Sequence, residues 1–381
     1  MNEPVYLDNN ASAPLAAECR EAMFACLNGP TGNPASKHSC GMAVQGQLAK
    51  ARAQVAALFG ASPGEIVFTS GGTESNHLAV LGALALAGDK RHIVSSTTEH
   101  PSTLLLLREL EERGVRVSYL QVDGDGLIDP ADVEKTLTPD TALLTLSWAN
   151  NETGVIAPME AVAAIAREKG VLLHIDAVQA VGKFELDLAA VRPDLLSVSG
   201  HKLHAPAGIG ALYVRKGVQL APQLFGHQER ARRGGTPNTS GIVALGTACE
   251  LIREGGIEAI TQMSVLRQRL EQAVTASIPC ARINGEAAPR VANTSNIRFG
   301  RLPAEVIVDR LDAAGICVAL GAACTAGGNE PSHVLLAMGL DRDQAEASVR
   351  FSTSRYTTEA EIDRAVAALV EVVGKLEAAA A

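Results

Sequence analysis

Between residues 66 and 214 short apolar runs alternate with helix-length stretches, and this alternation limits the fold more than any other feature of the chain. Glu65-Ile66-Val67-Phe68-Thr69-Ser70, His92 to Ser96, Ala142 to Leu146, Val171 to Asp176, Asp194 to Val198 and Gly208 to Val214 read as buried strands. The stretches between them have helical length: an apolar one from Leu78 to Leu86, one begun by Pro101, and one around Met159–Lys169. Strands joined through such helices imply βαβ units and a mainly parallel sheet. In a sheet of that kind ligands bind outside the carboxyl ends of the strands.

The residues at those ends carry chemistry. The run Val171-Leu172-Leu173-His174-Ile175-Asp176 ends in a carboxylate, and an unpaired buried carboxylate is costly enough to need a cationic partner. Another run leads into Ser199-Gly200-His201-Lys202. By itself this tetrapeptide reads as a surface lysine after a strand. Together with Asp176 it acquires a second meaning. A Schiff-base lysine paired with an aspartate on a pyridinium nitrogen is the signature of pyridoxal phosphate (PLP). Gln179, three residues beyond Asp176, can hydrogen-bond the same ligand. Gly71-Gly72-Thr73, between a strand and a helix, is either an anion site or an ordinary glycine turn capped by threonine. No G-x-x-x-x-G-K-[ST] or G-x-G-x-x-G pattern follows a strand, which disfavours nucleotide binding. In Glu99-His100-Pro101 the imidazole can stack on an aromatic ligand, although alone it reads as a satisfied loop histidine.

A helical stretch from about Ile242 to Ile278 leaves this half, and the remainder reads as a smaller α/β domain. Within it, Cys324 sits in the glycine-rich Gly321-Ala322-Ala323-Cys324-Thr325-Ala326-Gly327-Gly328, a setting that suits a reactive thiol better than a packed one. Val349-Arg350-Phe351-Ser352 buries a guanidinium that needs a carboxylate, and a substrate carboxylate would serve. Arg230, Arg232 and Arg233 lie on a glycine-rich loop, either as a solvated connection or as a frame for an anion. The net charge of −9 argues against general nucleic-acid or anionic-membrane binding. Seven cysteines without a C-x-x-C pair argue against a disulfide scaffold or structural zinc, and no metal site is visible. No 18-residue apolar run occurs, and Met1-Asn2-Glu3-Pro4 opens no signal-like segment, so a cytoplasmic protein is expected.

Taken together, these pieces resemble the NifS/IscS-type cysteine desulfurases of the aminotransferase-fold PLP enzymes, across essentially the whole chain. The resemblance is carried by Tyr6-Leu7-Asp8-Asn9-Asn10-Ala11, Phe68 through Asn76, Glu99-His100-Pro101 and Ala149 through Gly154. It extends to His174 through Gln179, Gly200 through Pro206, Ala323-Cys324-Thr325 and Arg355 through Glu359. It implies an α/β aspartate aminotransferase-like fold, with a mainly parallel seven-stranded sheet in a large domain (15–255) and a small domain (1–14 with 256–381).

By the same resemblance Lys202 would hold PLP as a Schiff base, with His100 stacked on the ring, Asp176 on its pyridinium nitrogen and Gln179 on its phenolic oxygen. Gly72, Thr73, Ser199 and His201 would hold the phosphate, joined by Thr236 of the other subunit of a homodimer. Asn150 and Arg350 would bind the carboxylate of L-cysteine, and Cys324 would take the sulfur as a persulfide, releasing alanine. A NifU/IscU-like iron–sulfur scaffold would then accept the sulfur, in general cluster assembly or in nitrogen fixation. The wording near Lys202 and at Gly226-His227-Gln228-Glu229 is closer to the nitrogen-fixation branch. Ala319, Leu320 and Ala322 stand where the family has serines, Ala207 where lysine is common and Pro237 where glutamate is usual. A selenocysteine or other PLP-dependent β-lyase is the alternative enzyme, and an inactive assembly scaffold the alternative outside catalysis.

Overall fold

A computed structural model describes residues 3–320 and 330–380; Cys324 lies outside the described residues. The chain opens with β1 (Val5–Tyr6), α1 (Ala17–Leu27) and the long α2 (Ser39–Leu58). Strand and helix then alternate through β2 (Ile66–Thr69), α3 (Gly72–Leu84), β3 (His92–Ser96), α4 (Pro101–Glu112), β4 (Arg116–Leu120) and α5 (Pro130–Thr136). The series continues with β5 (Thr141–Ser147), α6 (Met159–Glu168), β6 (Leu172–Asp176), α7 (Leu188–Val191), β7 (Leu195–Ser199) and β8 (Gly210–Val214). After α8 (Thr239–Ser277) come β9 (Ala281–Ile283), β10 (Thr294–Phe299), α9 (Ala304–Ala313), β11 (Ile316–Cys317) and β12 (Ala319–Leu320). The described chain ends with α10 (His333–Ala337), α11 (Arg342–Glu346), β13 (Ser348–Ser352) and α12 (Glu359–Ala380).

The expected seven-stranded sheet is present, in the order β2-β8-β7-β6-β5-β3-β4, and only β8 runs against the others. Strands β2, β3 and β7 are buried along their whole length and β6 at all but its first residue, as helices on both faces of a parallel sheet require. The edge strand β4 escapes a search for apolar runs, because Arg-Val-Ser-Tyr-Leu is only half-buried there. Helix α3 begins at Gly72, six residues before the apolar stretch that announces it. Its first turn is polar, and Glu74 reaches back to accept from Ser70 N–H (2.7 Å).

A second, antiparallel sheet has the order β12-β13-β10-β9, and β1 pairs in parallel with β11 beside it. Its core gathers Val5, Leu7, Leu266, Leu270, Phe299, Phe351 and Leu369. The first half of α8 instead packs on the large sheet through Ile242, Leu245 and Cys249. The helix leaves regular geometry at Gly255, between the stretches that serve the two cores. Among the described residues no helix is long and apolar enough to cross a membrane.

Candidate active site

All the strands of the seven-stranded sheet but β8 send their carboxyl ends to one rim, and the polar residues of interest sit there. They line a cavity of about 280 Å³, whose walls include Gly72, Thr73, Asn76, His100, Asp176, Gln179, Ser199, His201 and Lys202. Seven of the twelve residues singled out in the sequence therefore share one cavity with Lys202 itself.

Asp176 closes one side. Its Oδ2 accepts from Asn76 Nδ2 (2.7 Å) and its Oδ1 from the Val178 amide (2.9 Å), which fixes the carboxylate at the end of β6. Lys202 stands in the helical turn after β7, and its Nζ donates to the carbonyls of Asn10 (2.6 Å) and Ala11 (2.7 Å). His100 caps α4: its Nδ1 accepts from the Ser102 amide (3.1 Å), so the neutral ring carries its proton on Nε2. Burial holds His100 below the usual histidine range, with Lys202 and His333 adding to the effect and Asp176 opposing it. His201 is lowered to about 4, by burial first and then by Lys202, Lys183 and His100. The floor of the site is therefore neutral imidazole and cationic amine around one fixed carboxylate.

The opposite side is shaped by glycine. A Cβ on Gly72 would come within 2.9 Å of Val178 Cγ2 and 3.4 Å of Ser199 Cβ, and one on Gly210 within 2.7 Å of Gly71 Cα. Backbone thus lies where side chains would fill the space, at the N-terminus of the thirteen-residue α3 beside the Ser199 hydroxyl. Free amides, the helix dipole and hydroxyl donors suit a phosphate. A carboxylate suits a pyridinium nitrogen at the far wall. The donor set fits PLP.

Two expected residues are placed differently. Asn150 is occupied within its own turn: its Oδ1 accepts from the Glu152 and Thr153 amides (2.9 and 3.0 Å), and its Nδ2 donates to the Thr98 carbonyl (3.1 Å). Asn151, its neighbour, lines the cavity instead. Arg350 is buried, as its strand pattern requires, but Asp8 supplies the carboxylate, 2.8 Å from Nη2. Its Nε has no partner among the described residues. Thr236, expected to serve the other subunit's phosphate, is exposed on the arginine-bearing loop. That loop is tied down by Arg233 on Glu74 (2.8 Å) and by Glu229 on Arg52 (2.6 Å), so those charges serve the fold.

Reading the sequence for roles passes over Asn10, Asn76 and Ser102, all on the cavity wall. Asn76 had a signal, since it lies three residues after Thr73 and so on the same face of α3. Among the described residues no three His, Cys, Asp or Glu side chains gather as a metal site would need.

The aminotransferase class-V family model matches residues 5–365. A cysteine desulfurase of Trichormus azollae is 48% identical over 379 residues, covering 98% of this chain and 94% of that protein. A solved NifS-like protein superposes with a TM-score of 0.90 at 35% identity, covering 98% of this chain and all of the other. A structure of SspA in complex with cysteine gives a TM-score of 0.81 at 33% identity, over 93% of this chain and 99% of that one.

Proposed function

The chain belongs to the class-V aminotransferase family, and we infer that it is a PLP-dependent cysteine desulfurase, converting L-cysteine to L-alanine and leaving the sulfur on the enzyme. The observation that carries this reading is the shared cavity of Lys202, Asp176, His100, Gln179 and the Gly72-Thr73 helix start. The cofactor, when bound, supplies an electron sink for the substrate's α-carbon.

Each side chain has a task in that setting. Lys202 would hold the cofactor through Nζ and, once substrate has displaced it, take the α-proton and return one. Asp176, locked by Asn76 and Val178, would keep the pyridinium protonated; His100 would stack on the ring and Gln179 would donate to its phenolic oxygen. Gly72, Thr73, Ser199 and His201 would hold the phosphate. Arg350 would take the substrate carboxylate in place of Asp8, through Nη2 and the Nε that has no partner among the described residues; Asn150 would act on that carboxylate through the turn it fixes around Asn151.

Cys324 would take the sulfur. Its thiolate attacks the substrate sulfur and the Cβ–S bond breaks, with the electron pair staying on carbon, which gains a proton. Persulfide and alanine result, and no outside oxidant or reductant is needed. The chain enters the segment that bears Cys324 from β12, where Ala319 pairs with Arg350 of β13, which supports delivery of the thiol to the carboxylate end of the substrate.

We read residues 15–255 as the cofactor-binding unit and 1–14 with 256–381 as the second unit. Large apolar side chains exposed at Phe24, Leu27, Leu224 and Phe225 support a homodimer in which Thr236 reaches the partner's phosphate. A cytoplasmic iron–sulfur scaffold protein is the proposed acceptor. The testing experiment is a Cys324→Ser variant supplied with L-cysteine or L-selenocysteine. Loss of sulfur release from cysteine supports the persulfide role, and full retention contradicts it.

A further inference from the structure

Lys183 is a buried lysine that the reaction above leaves without a task. It ends the turn that follows β6, seven residues past Asp176, and is 5% exposed. Its Nζ donates to Oδ1 of Asn10 (3.0 Å) and to Oε1 of Gln179. Both acceptors are amide oxygens. Burying an ammonium against amides rather than a carboxylate costs stability, so a structural role alone is a poor account of it.

An amide side chain has one accepting and one donating end, whereas an ammonium only donates. Lys183 therefore favours one turn of Gln179: oxygen toward Nζ, amino group away. That amino group donates to the Asn10 carbonyl (3.0 Å), which also accepts from Lys202 Nζ. Lys183, Gln179, Asn10 and Lys202 thus form one continuous network along the cavity wall.

We propose that Lys183 is a positioning residue that locks the Gln179 amide with its donor end toward the ligand in the cavity. The inference rests on the cofactor reading above, in which that ligand atom is the phenolic oxygen of PLP. Burial, then Lys202 and Arg350, hold Lys183 well below the usual lysine range, and a neutral amine still has hydrogens for both the Asn10 and the Gln179 oxygens. His201 and His204 are lowered in part by Lys183 in return, and Arg355 lines the small cavity behind it. The carboxylates facing this region are Asp8, on Arg350, and Asp176, on the cavity wall. A phenolate arriving beside Gln179 would offset the surplus of cations and favour the charged form of Lys183, which in turn would favour the phenolate.

The test reads the colour of the bound cofactor against pH, in the full-length protein loaded with PLP. Lys183→Met is expected to move the midpoint of the visible titration upward by about one pH unit. In a Gln179→Leu background the same substitution should move it by less than half as much. An unmoved midpoint in Lys183→Met overturns the proposal. So does a full-sized shift without the Gln179 amide, which would make Lys183 a bare charge. Should Lys183→Met not fold, Gln179→Glu keeps an oxygen for Lys183 but offers the cavity no donor. Its midpoint should rise as well, and an unmoved one overturns the proposal. A parent protein that stays colourless with PLP overturns the cofactor reading and this inference together, whereas a coloured parent with an unmoved Lys183→Met midpoint overturns this inference alone.

Discussion

Glu99 and Glu152 are both fully enclosed, and burial pushes each carboxyl up to about 7. Glu99 accepts from the Ser96 and Ser147 hydroxyls (2.6 Å each), and Glu152 from Ser332. A carboxyl raised in the folded state binds its proton more tightly there than in the unfolded chain. Its contribution to stability is complete below the unfolded value and is lost as pH rises toward 7. Buried His174, lowered to about 3, titrates in the opposite sense over part of the same range, so the parent profile mixes the two. The difference between Glu99→Gln and the parent isolates one group. The variant should gain about 1–3 kcal/mol relative to the parent between pH 5 and pH 8 in urea unfolding, and a flat difference would contradict the assignment. Arg350 presents the same physics with the sign of the charge reversed. The sequence announces that this guanidinium is buried, but not that Asp8, 342 positions away, neutralises it. Nothing local reports such a contact. Asp8→Asn is expected to destabilise the fold by about 2–3 kcal/mol in the same measurement, and a loss below about 0.5 kcal/mol would show the pair to be incidental.

At the scale of elements, the end of the cavity proposed for the phosphate depends on β8 lying close to the turn before α3. Gly210 opens β8, and a Cβ there would meet Gly71 Cα at 2.7 Å and the Val198 carbonyl oxygen at 2.7 Å. Backbone on both sides leaves no room to yield. Gly210→Ala should cost about 1–3 kcal/mol and weaken PLP retention, both measurable by thermal melts with and without cofactor. Gly46, exposed within α2 with open space around it, makes the control: Gly46→Ala should stabilise by about 0.5–1 kcal/mol. Equal effects at the two positions would contradict the close-approach argument. The central strands were legible because a parallel sheet covered on both faces writes itself as unbroken apolar runs. Edge strand β4 was not, since half-burial leaves Arg116 and Ser118 in its pattern. Asn150 shows a further limit: residue type marks it as a polar group near the rim, but only the turn's geometry reveals that its amide is engaged by Glu152, Thr153 and Thr98.

For the whole molecule, the kink at Gly255 separates the part of α8 that packs on the large sheet from the part that packs on the small one. The residues proposed to meet cofactor and substrate come from both: Lys202, His100 and Asp176 from the large sheet, Arg350 from β13 of the small one. Which half carries which group was readable in order along the chain; how closely they meet was not, because it depends on contacts such as Asn10 with Lys202 and Lys183 that span most of the sequence. The proposed reaction requires an amine and a thiol to act on one bound amino acid. Its most direct test is mass analysis of the peptide containing Cys324 after the PLP-loaded protein has met L-cysteine, with alanine counted in parallel. The account predicts one added sulfur on Cys324 and one alanine for each sulfur gained, both absent in Lys202→Ala. Alanine formed while Cys324 stays unmodified in the first turnover, or alanine formation that survives Lys202→Ala, would contradict it.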